Sequence, residues 1–210
     1  MAEQTISDED WDSRDLTGER FEQVVFSDVD LTEATGQGAV FSECVFRRVR
    51  FNASTHVTAA FLNCKFVRCS FFDATFTECK VVGGTFEQCE FPLLKVEGGD
   101  WSFAGLRDAD LRGASFTGVR MREADLTGAR CSGATLRDVD LSGATLHRAD
   151  LSECDLRGSD LTSLDPLDTT IKDAVIDVTQ AVLIATALGL RVRDPREEVG
   201  KPGRGAAGAR

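Results

Sequence analysis

The pentapeptide Ala124-Asp125-Leu126-Thr127-Gly128 is the unit from which the whole chain can be read. Stepping by five from Leu126 reaches Met121, Phe116, Leu111 and Leu106 on one side, and Cys131, Leu136, Leu141 and Leu146 on the other. The same column runs from Trp11 to Ile176 through 34 positions, and only Gly36, His56 and Pro166 break its apolar character. No insertion shifts the register. A second column, two residues earlier, holds almost only Ala, Cys, Val, Ser, Gly and Thr between Val24 and Ala174, with Leu94 and Leu164 as exceptions. The other three positions are mostly polar or Gly.

A helix repeats near 3.6 residues and a half-buried strand repeats at 2, so neither produces this pattern. A strict period of five requires each unit to turn a corner and present the same two side chains inward. Stacked coils then share backbone hydrogen bonds at about 4.8 Å spacing. A single coil cannot bury its own face, so stability comes from neighbouring coils. The expected fold is an all-β solenoid.

Composition narrows the function. The 210 residues carry a net charge of −11, which argues against a general nucleic-acid binder and permits a partner with a basic surface. No apolar run is long enough to span a membrane. The N-terminus has no basic start followed by an apolar stretch, so a cytoplasmic protein is expected. Six of the seven cysteines, Cys44, Cys64, Cys69, Cys79, Cys89 and Cys154, fall in the small inward column, and Cys131 takes a large inward position. That is the distribution of a small buried hydrophobe, and reduced, slowly labelled thiols are expected. Cys44 should stack on Cys64 and Cys69 on Cys89, within disulfide range. No Cys/His set has zinc spacing, and no phosphate-binding loop or nucleophile–base motif occurs. No metal, cofactor or catalytic residue is expected, and the chain reads as a non-enzyme.

Charge is uneven along the rod. Net charge is −9 over residues 1–35, +1 over 36–99, zero over 100–135, −6 over 136–177 and +3 from 191 onward. The C-terminal acidic zone spans about two coils, and its linear charge density approaches that of duplex DNA. Its candidate residues are Asp138, Asp140, Asp150, Glu153, Asp155, Asp160, Asp168 and Asp173. Asp140 and Asp160 should stack on one face, Asp150 should lie above Arg130, and Glu153 should stack on Asp173.

Beyond Ile176 the pattern changes. Asp177 with Gln180 forms a capping-box signature, an apolar stretch follows, and Gly189 is a stop. This helix is apolar nearly all round, so one face covers the last coil and the other is expected to meet a second copy. The candidate interface residues are Val178, Ala181, Val182, Ile184, Ala185 and Leu188. The expected organisation is an N-terminal segment at 1–10, the repeat body at 11–176, a terminal helix with its extension at 177–192 and a disordered basic tail at 193–210.

The Ala-Asp-Leu-x-x unit resembles the consensus of pentapeptide-repeat proteins. That resemblance implies a right-handed quadrilateral β-helix with twenty residues per coil. Gly36 and His56 lie twenty apart, which would stack them on one face, with the ring filling the space that Gly36 leaves. Trp101-Ser102, the run Leu106-Arg107-Asp108-Ala109-Asp110-Leu111-Arg112-Gly113, Asp165-Pro166, and Ile176-Asp177-Val178-Thr179-Gln180-Ala181-Val182 are similar to a narrower group. This is the Qnr and MfpA class of quinolone-resistance proteins, and the absence of inserted loops is closer to the MfpA type. The resemblance implies a homodimer through the terminal helix that mimics DNA on DNA gyrase, a type II topoisomerase. The other reading is a passive scaffold that holds an unrelated protein.

Overall fold

A computed structural model describes residues 4–193. The chain winds into a parallel β-solenoid in which each strand pairs with the segment twenty residues on. One wall stacks Gln4–Ser7, Val24–Ser27, Val45–Arg47, Lys65–Val67 and Thr85–Glu87. A second stacks six strands from Thr35–Gln37 to Thr135–Arg137, and a third stacks Arg20–Glu22, Val40–Ser42 and Ala60–Leu62. The fourth wall has no full strand; isolated parallel bridges join Asp10, Asp30, Arg50, Ser70, Glu90, Asp110, Arg130 and Asp150 in sequence. The coil begins before the expected boundary at Trp11, because Gln4 already pairs with Val24 and Ile6 with Phe26. The basic tail expected at 193–210 lies outside the described residues, apart from Arg193.

The two apolar columns form the interior. In the N-terminal half the large column is aromatic, and its rings stack coil on coil. Phe26, Phe46, Phe66 and Phe86 make one ladder with centroid spacings of 4.9, 4.9 and 4.7 Å. Phe41 and Phe61 stack at 4.7 Å on the adjacent wall. Edge-to-face contacts such as Phe46–Phe51 at 5.4 Å join the ladders across the core. Offset stacking within a wall and edge contacts between walls are the two arrangements that the ring quadrupole favours.

Nearly every corner is made by a residue with positive φ two positions after the large apolar residue, such as Glu43, Asn63 and Asp138, the turn at Ser163 and Asp168 being the exception. Glycine takes this position without steric cost at Gly113, Gly128 and Gly158. Gly99 is constrained further. A Cβ there would lie 2.1 Å from the Cys79 carbonyl oxygen, so only glycine lets these two coils approach.

Gly36 and His56 are register partners, as their spacing implies. A Cβ at Gly36 would sit 3.2 Å from the Leu16 Cβ. On its other side His56 stacks on Phe76 at 4.9 Å, and its Nε2 is 3.1 Å from Ser54 Oγ. All seven cysteines are free thiols. Six are buried; Cys89 is half-buried, which departs from the expectation of a uniformly covered column.

The terminal helix spans Val178–Ala187. The Asp177 side chain accepts from Gln180 N–H while the Gln180 side chain accepts from Asp177 N–H, so the capping box is complete. At the other end Gly189 N–H donates to Thr186 O and Leu190 N–H to Ala185 O, a Schellman closure at the expected glycine.

Candidate acidic interface and terminal helix

The repeat itself positions the acidic side chains. In a unit such as Ala149-Asp150-Leu151-Ser152, the Asp sits between two inward residues and therefore points outward. One carboxylate oxygen accepts the N–H two residues on, which fixes the side chain against its own corner. Asp140 is held this way by Ser142, Asp150 by Ser152, and Asp160 by Thr162. The Ser152 bonds hold the Asp150 carboxyl below the usual range. At Asp140 burial opposes ionisation, but bonds from Ser142 and Arg122 outweigh it and the carboxyl is again depressed.

The second carboxylate oxygen separates the candidates. Asp140 accepts from Arg122 Nε at 2.5 Å. Asp155 accepts from Arg157 at 2.7 Å, with Arg137 at 3.8 Å, and Arg157 holds its pKa at about 2. Asp168 meets His147 Nδ1 at 2.6 Å. Asp173 lies 3.9 Å from Lys172, with both side chains largely in water, so that pair contributes little. Asp138, Asp150, Glu153 and Asp160 have no ion-pair partner among the described residues. Asp140 and Asp160 are bridged neighbours on one wall, and Asp150 stacks on Arg130 as expected. Arg130 nonetheless turns away from Asp150 and donates to Asp110 at 3.2 Å.

Earlier coils hold several of their aspartates in ion pairs, while Asp8, Asp10, Asp12, Asp15 and Asp108 have none among the described residues. Asp28 is paired with Arg48, Asp30 with Arg50, Asp100 with Arg120, and Asp110 with both Arg112 and Arg130. From Asp150 onward only Asp155, Asp168 and Asp173 retain a cation. Sequence reasoning ranked eight carboxylates alike and missed the neutralising cations. For Asp140 and Asp168 the signal was Arg122 and His147, 18 and 21 residues away, the distance at which adjacent coils meet; for Asp155 it was Arg157, two residues on.

The terminal helix lies beside this zone and seals the last coil. Gln180 Nε2 donates to Leu156 O at 2.6 Å and to Ser159 O at 2.8 Å, tying the helix to the last coil. Asp177 also accepts from Gly158 N–H at 3.2 Å. Ile184, grouped among the interface candidates, is buried against its own rod, because it falls one turn after Gln180 on the same helix face. Leu183 packs beside it. The outer face carries Val178, Ala181, Val182 and Leu188, with Ala185 at the margin. Val178 is 83% exposed, and Leu190 and Val192 extend the apolar strip past the helix. No helix among the described residues is long and apolar enough to cross a membrane.

Among curated protein sequences there is no match to this chain. The model of the pentapeptide-repeat family matches in eight copies, over residues 25–54, 104–143 and 140–165. Among solved structures, trypsin-treated QnrB1, described as a plasmid-mediated fluoroquinolone resistance protein, is similar with a TM-score of 0.70 at 22% identity. That match covers 91% of this chain and 99% of QnrB1. Full-length QnrB1 gives a TM-score of 0.58 at 20% identity, over 89% of this chain and 97% of that one. At this identity the likeness is one of fold. The five-residue period, the twenty-residue coil and the matched copies agree that residues 25–54 and 104–165 are pentapeptide repeats and that the chain winds into the β-solenoid such repeats form.

Proposed function

We propose that the protein is a DNA mimic that binds DNA gyrase as a homodimer, modulating the enzyme and contributing to fluoroquinolone resistance. The observation that carries this reading is the group of unpaired carboxylates at Asp138, Asp150, Glu153 and Asp160, beside a helix whose outer face is apolar. A surface that receives DNA presents Lys and Arg to phosphates, and free carboxylates on a rigid rod offer the same charge. Pairing two copies through Val178, Val182 and Leu188 would join two acidic zones into one longer tract. The fold likeness to QnrB1, a fluoroquinolone resistance protein, supports the same reading. No catalytic step belongs to it.

The test is gyrase supercoiling with and without a quinolone, together with competition against DNA across a salt series. Wild-type protein is expected to inhibit supercoiling, and its binding to weaken steeply with salt. Replacing Asp138, Asp150 and Asp160 by Asn and Glu153 by Gln should weaken both effects, with Asp140→Asn as the milder control. Leu188→Asp should yield monomers in sedimentation without melting the rod. If wild-type protein at tens of micromolar neither alters supercoiling nor displaces DNA, the scaffold reading replaces this one. The exposed Phe72 and Leu93 in the neutral middle of the rod are the surface that reading would use.

A further inference from the structure

Between the coil of residues 76–95 and the coil of residues 96–115 the backbone ladder is uneven. At the corner beside Gly98 every rung is made. Glu78 N–H donates to Glu97 O at 2.8 Å, Asp100 N–H to Cys79 O at 2.9 Å, Val81 N–H to Asp100 O at 2.7 Å and Gly83 N–H to Ser102 O at 3.0 Å. Half a coil away, the equivalent rungs are missing among the described residues. The N–H groups of Gln88, Phe91 and Leu93 do not reach Arg107, Asp110 and Arg112 O, and Asp110 N–H does not reach Cys89 O. One coil earlier this corner is complete, from Arg68 N–H to Glu87 O at 2.8 Å through to Asp73 N–H to Pro92 O at 2.9 Å. Glu90 and Asp110 remain bridge partners, so the corner is stretched rather than severed. Rungs are also missing near Pro166, but there side chains step in. Gly143 N–H donates to Ser163 Oγ at 2.8 Å and Arg148 N–H to Asp168 Oδ2 at 3.3 Å. No side chain among the described residues replaces the rungs at Gln88, Phe91, Leu93 or Asp110.

The core supplies the cause. Phe66 stacks on Phe86 at 4.7 Å. Above Phe86 the ladder has no further ring of its own column. The Trp101 indole reaches over from the neighbouring wall instead, nearly parallel at 6° but 5.8 Å away. Extra bulk between two packed layers pushes them apart on the side where it sits. Trp101 Nε1 is buried without a hydrogen-bond partner, a cost that few native groups carry. On the opposite side Gly98 and Gly99 both have positive φ, and a Cβ at Gly99 would collide with the Cys79 carbonyl oxygen. The two coils therefore press together at Gly99 and part at Gln88. Grooves of about 750 and 540 Å³ flank the open corner, and both are lined by Gln88, Cys89, Phe91 and Asp108. Cys89 is half-buried for the same reason.

We propose that this interface is a hinge, with Gly98 and Gly99 as its pin, the Gln88–Leu93 corner as its mouth and Trp101 as the wedge that keeps the mouth from closing. Ladder rungs lie along the rod axis, so an unbroken ring of them resists bending in every direction. Four missing rungs on one side remove that resistance in one direction only. Glycine is suited to the pin, because it absorbs a change of φ and ψ without a Cβ clash. The motion tilts the aromatic half of the rod against the half that carries Asp138, Asp150, Glu153 and Asp160, whatever partner the rod engages.

Amide hydrogen exchange, resolved residue by residue by NMR on the full chain, tests this. A static gap would speed exchange only at the four unpaired amides. A hinge also loosens the bonded rungs that border its mouth, at Phe86, Gly105 and Ser115. These are expected to exchange at least ~10-fold faster than Glu78, Val81, Gly83 and Asp100 at the pin. Trp101→Leu should let the coils close, slowing exchange at Gln88, Phe91, Leu93 and Asp110 by at least ~10-fold with an unchanged circular dichroism spectrum. If that variant does not fold, the wild-type gradient from mouth to pin decides. Bordering rungs as protected as the pin, or a folded Trp101→Leu protein with unchanged exchange at the mouth, would overturn the proposal.

Discussion

Phe46 and Leu146 occupy the same wall of the rod five coils apart, yet their surroundings differ in kind. Phe46 lies in a true strand, Val45–Arg47, and is stacked between Phe26 and Phe66. Leu146 lies beside a single bridge at Thr145, and the large residue in register with it on the preceding coil is Leu126 rather than a ring. Outside the rod, Arg48 neutralises Asp28 near the first residue, while Asp150 near the second has no cation. The same five-residue register is thus filled in two ways. Phe, Val and Thr, which favour extended backbone, draw out three strand-bearing walls in the N-terminal half. Leu, Ala, Asp and Gly hold the same coil with turns and bridges, and the last strand is Thr135–Arg137. The period dictates the coil; the residue chosen at each inward position dictates how much of the wall is strand. Charge is assigned separately, on the outward positions.

Hollowing both halves gives the largest expected effect. Phe66→Ala removes a ring stacked on Phe46 and Phe86, and should cost about 3–5 kcal/mol in denaturant unfolding. Leu126→Ala should fall near the lower end of its range, about 2–3 kcal/mol, because Ala neighbours leave less to lose. Equal losses would mean that the stacked rings add nothing beyond their buried area.

A pH series sharpens the contrast, because only the aromatic half contains a buried histidine. Burial pushes the His56 pKa down to about 4. The unfolded chain takes up this proton near pH 6.5, and the native state does not until about pH 4. Stability should therefore fall as pH drops through that window, by on the order of 2 kcal/mol at about pH 5. His56→Phe should abolish this part of the slope while preserving the stack on Phe76. Parallel slopes for wild type and variant would show that the ring is not held neutral.

The smallest effect concerns the two kinds of aspartate. Asp110 accepts from Arg112 and Arg130, and the Arg112 bond holds its pKa at about 2. Its contribution is present above about pH 4 and is lost as pH falls toward 2. Because the pair is solvent-screened, Asp110→Asn should cost no more than about 1 kcal/mol at neutral pH. Asp160→Asn should stay within about 0.5 kcal/mol or stabilise slightly, since it removes a carboxylate next to Asp140. A larger loss at Asp160 than at Asp110 in thermal melts would erase the distinction between paired and free carboxylates.

Much of the fold was legible because its determinants are local. Ala-Asp-Leu-x-x states which side chains point inward, and Asp177 with Gln180 and Gly189 states where the helix begins and ends. The candidate site was legible only as a zone. Eight carboxylates looked equivalent, although Cys154-Asp155-Leu156-Arg157-Gly158 carries its own cation and Ala149-Asp150-Leu151-Ser152-Glu153 does not; the pairings of Asp140 with Arg122 and of Asp168 with His147 lie across coils and show in neither pentapeptide.

The sequence by itself determined the period, the inward columns and the capped end, since each follows from neighbours within one coil or one helix turn; the twenty-residue coil was implied by the family resemblance and is fixed by strands pairing twenty residues apart. Only the tertiary structure decided that Arg130 turns to Asp110 and leaves Asp150 free, that Ile184 faces its own rod, and that Cys89 opens to a groove while Cys64 does not. Each of these depends on side chains about 20 residues apart meeting across the gap between coils. There, the rotamers of long cations and the bulk of the residues above decide the contact, and the identity of a column carries no information about either.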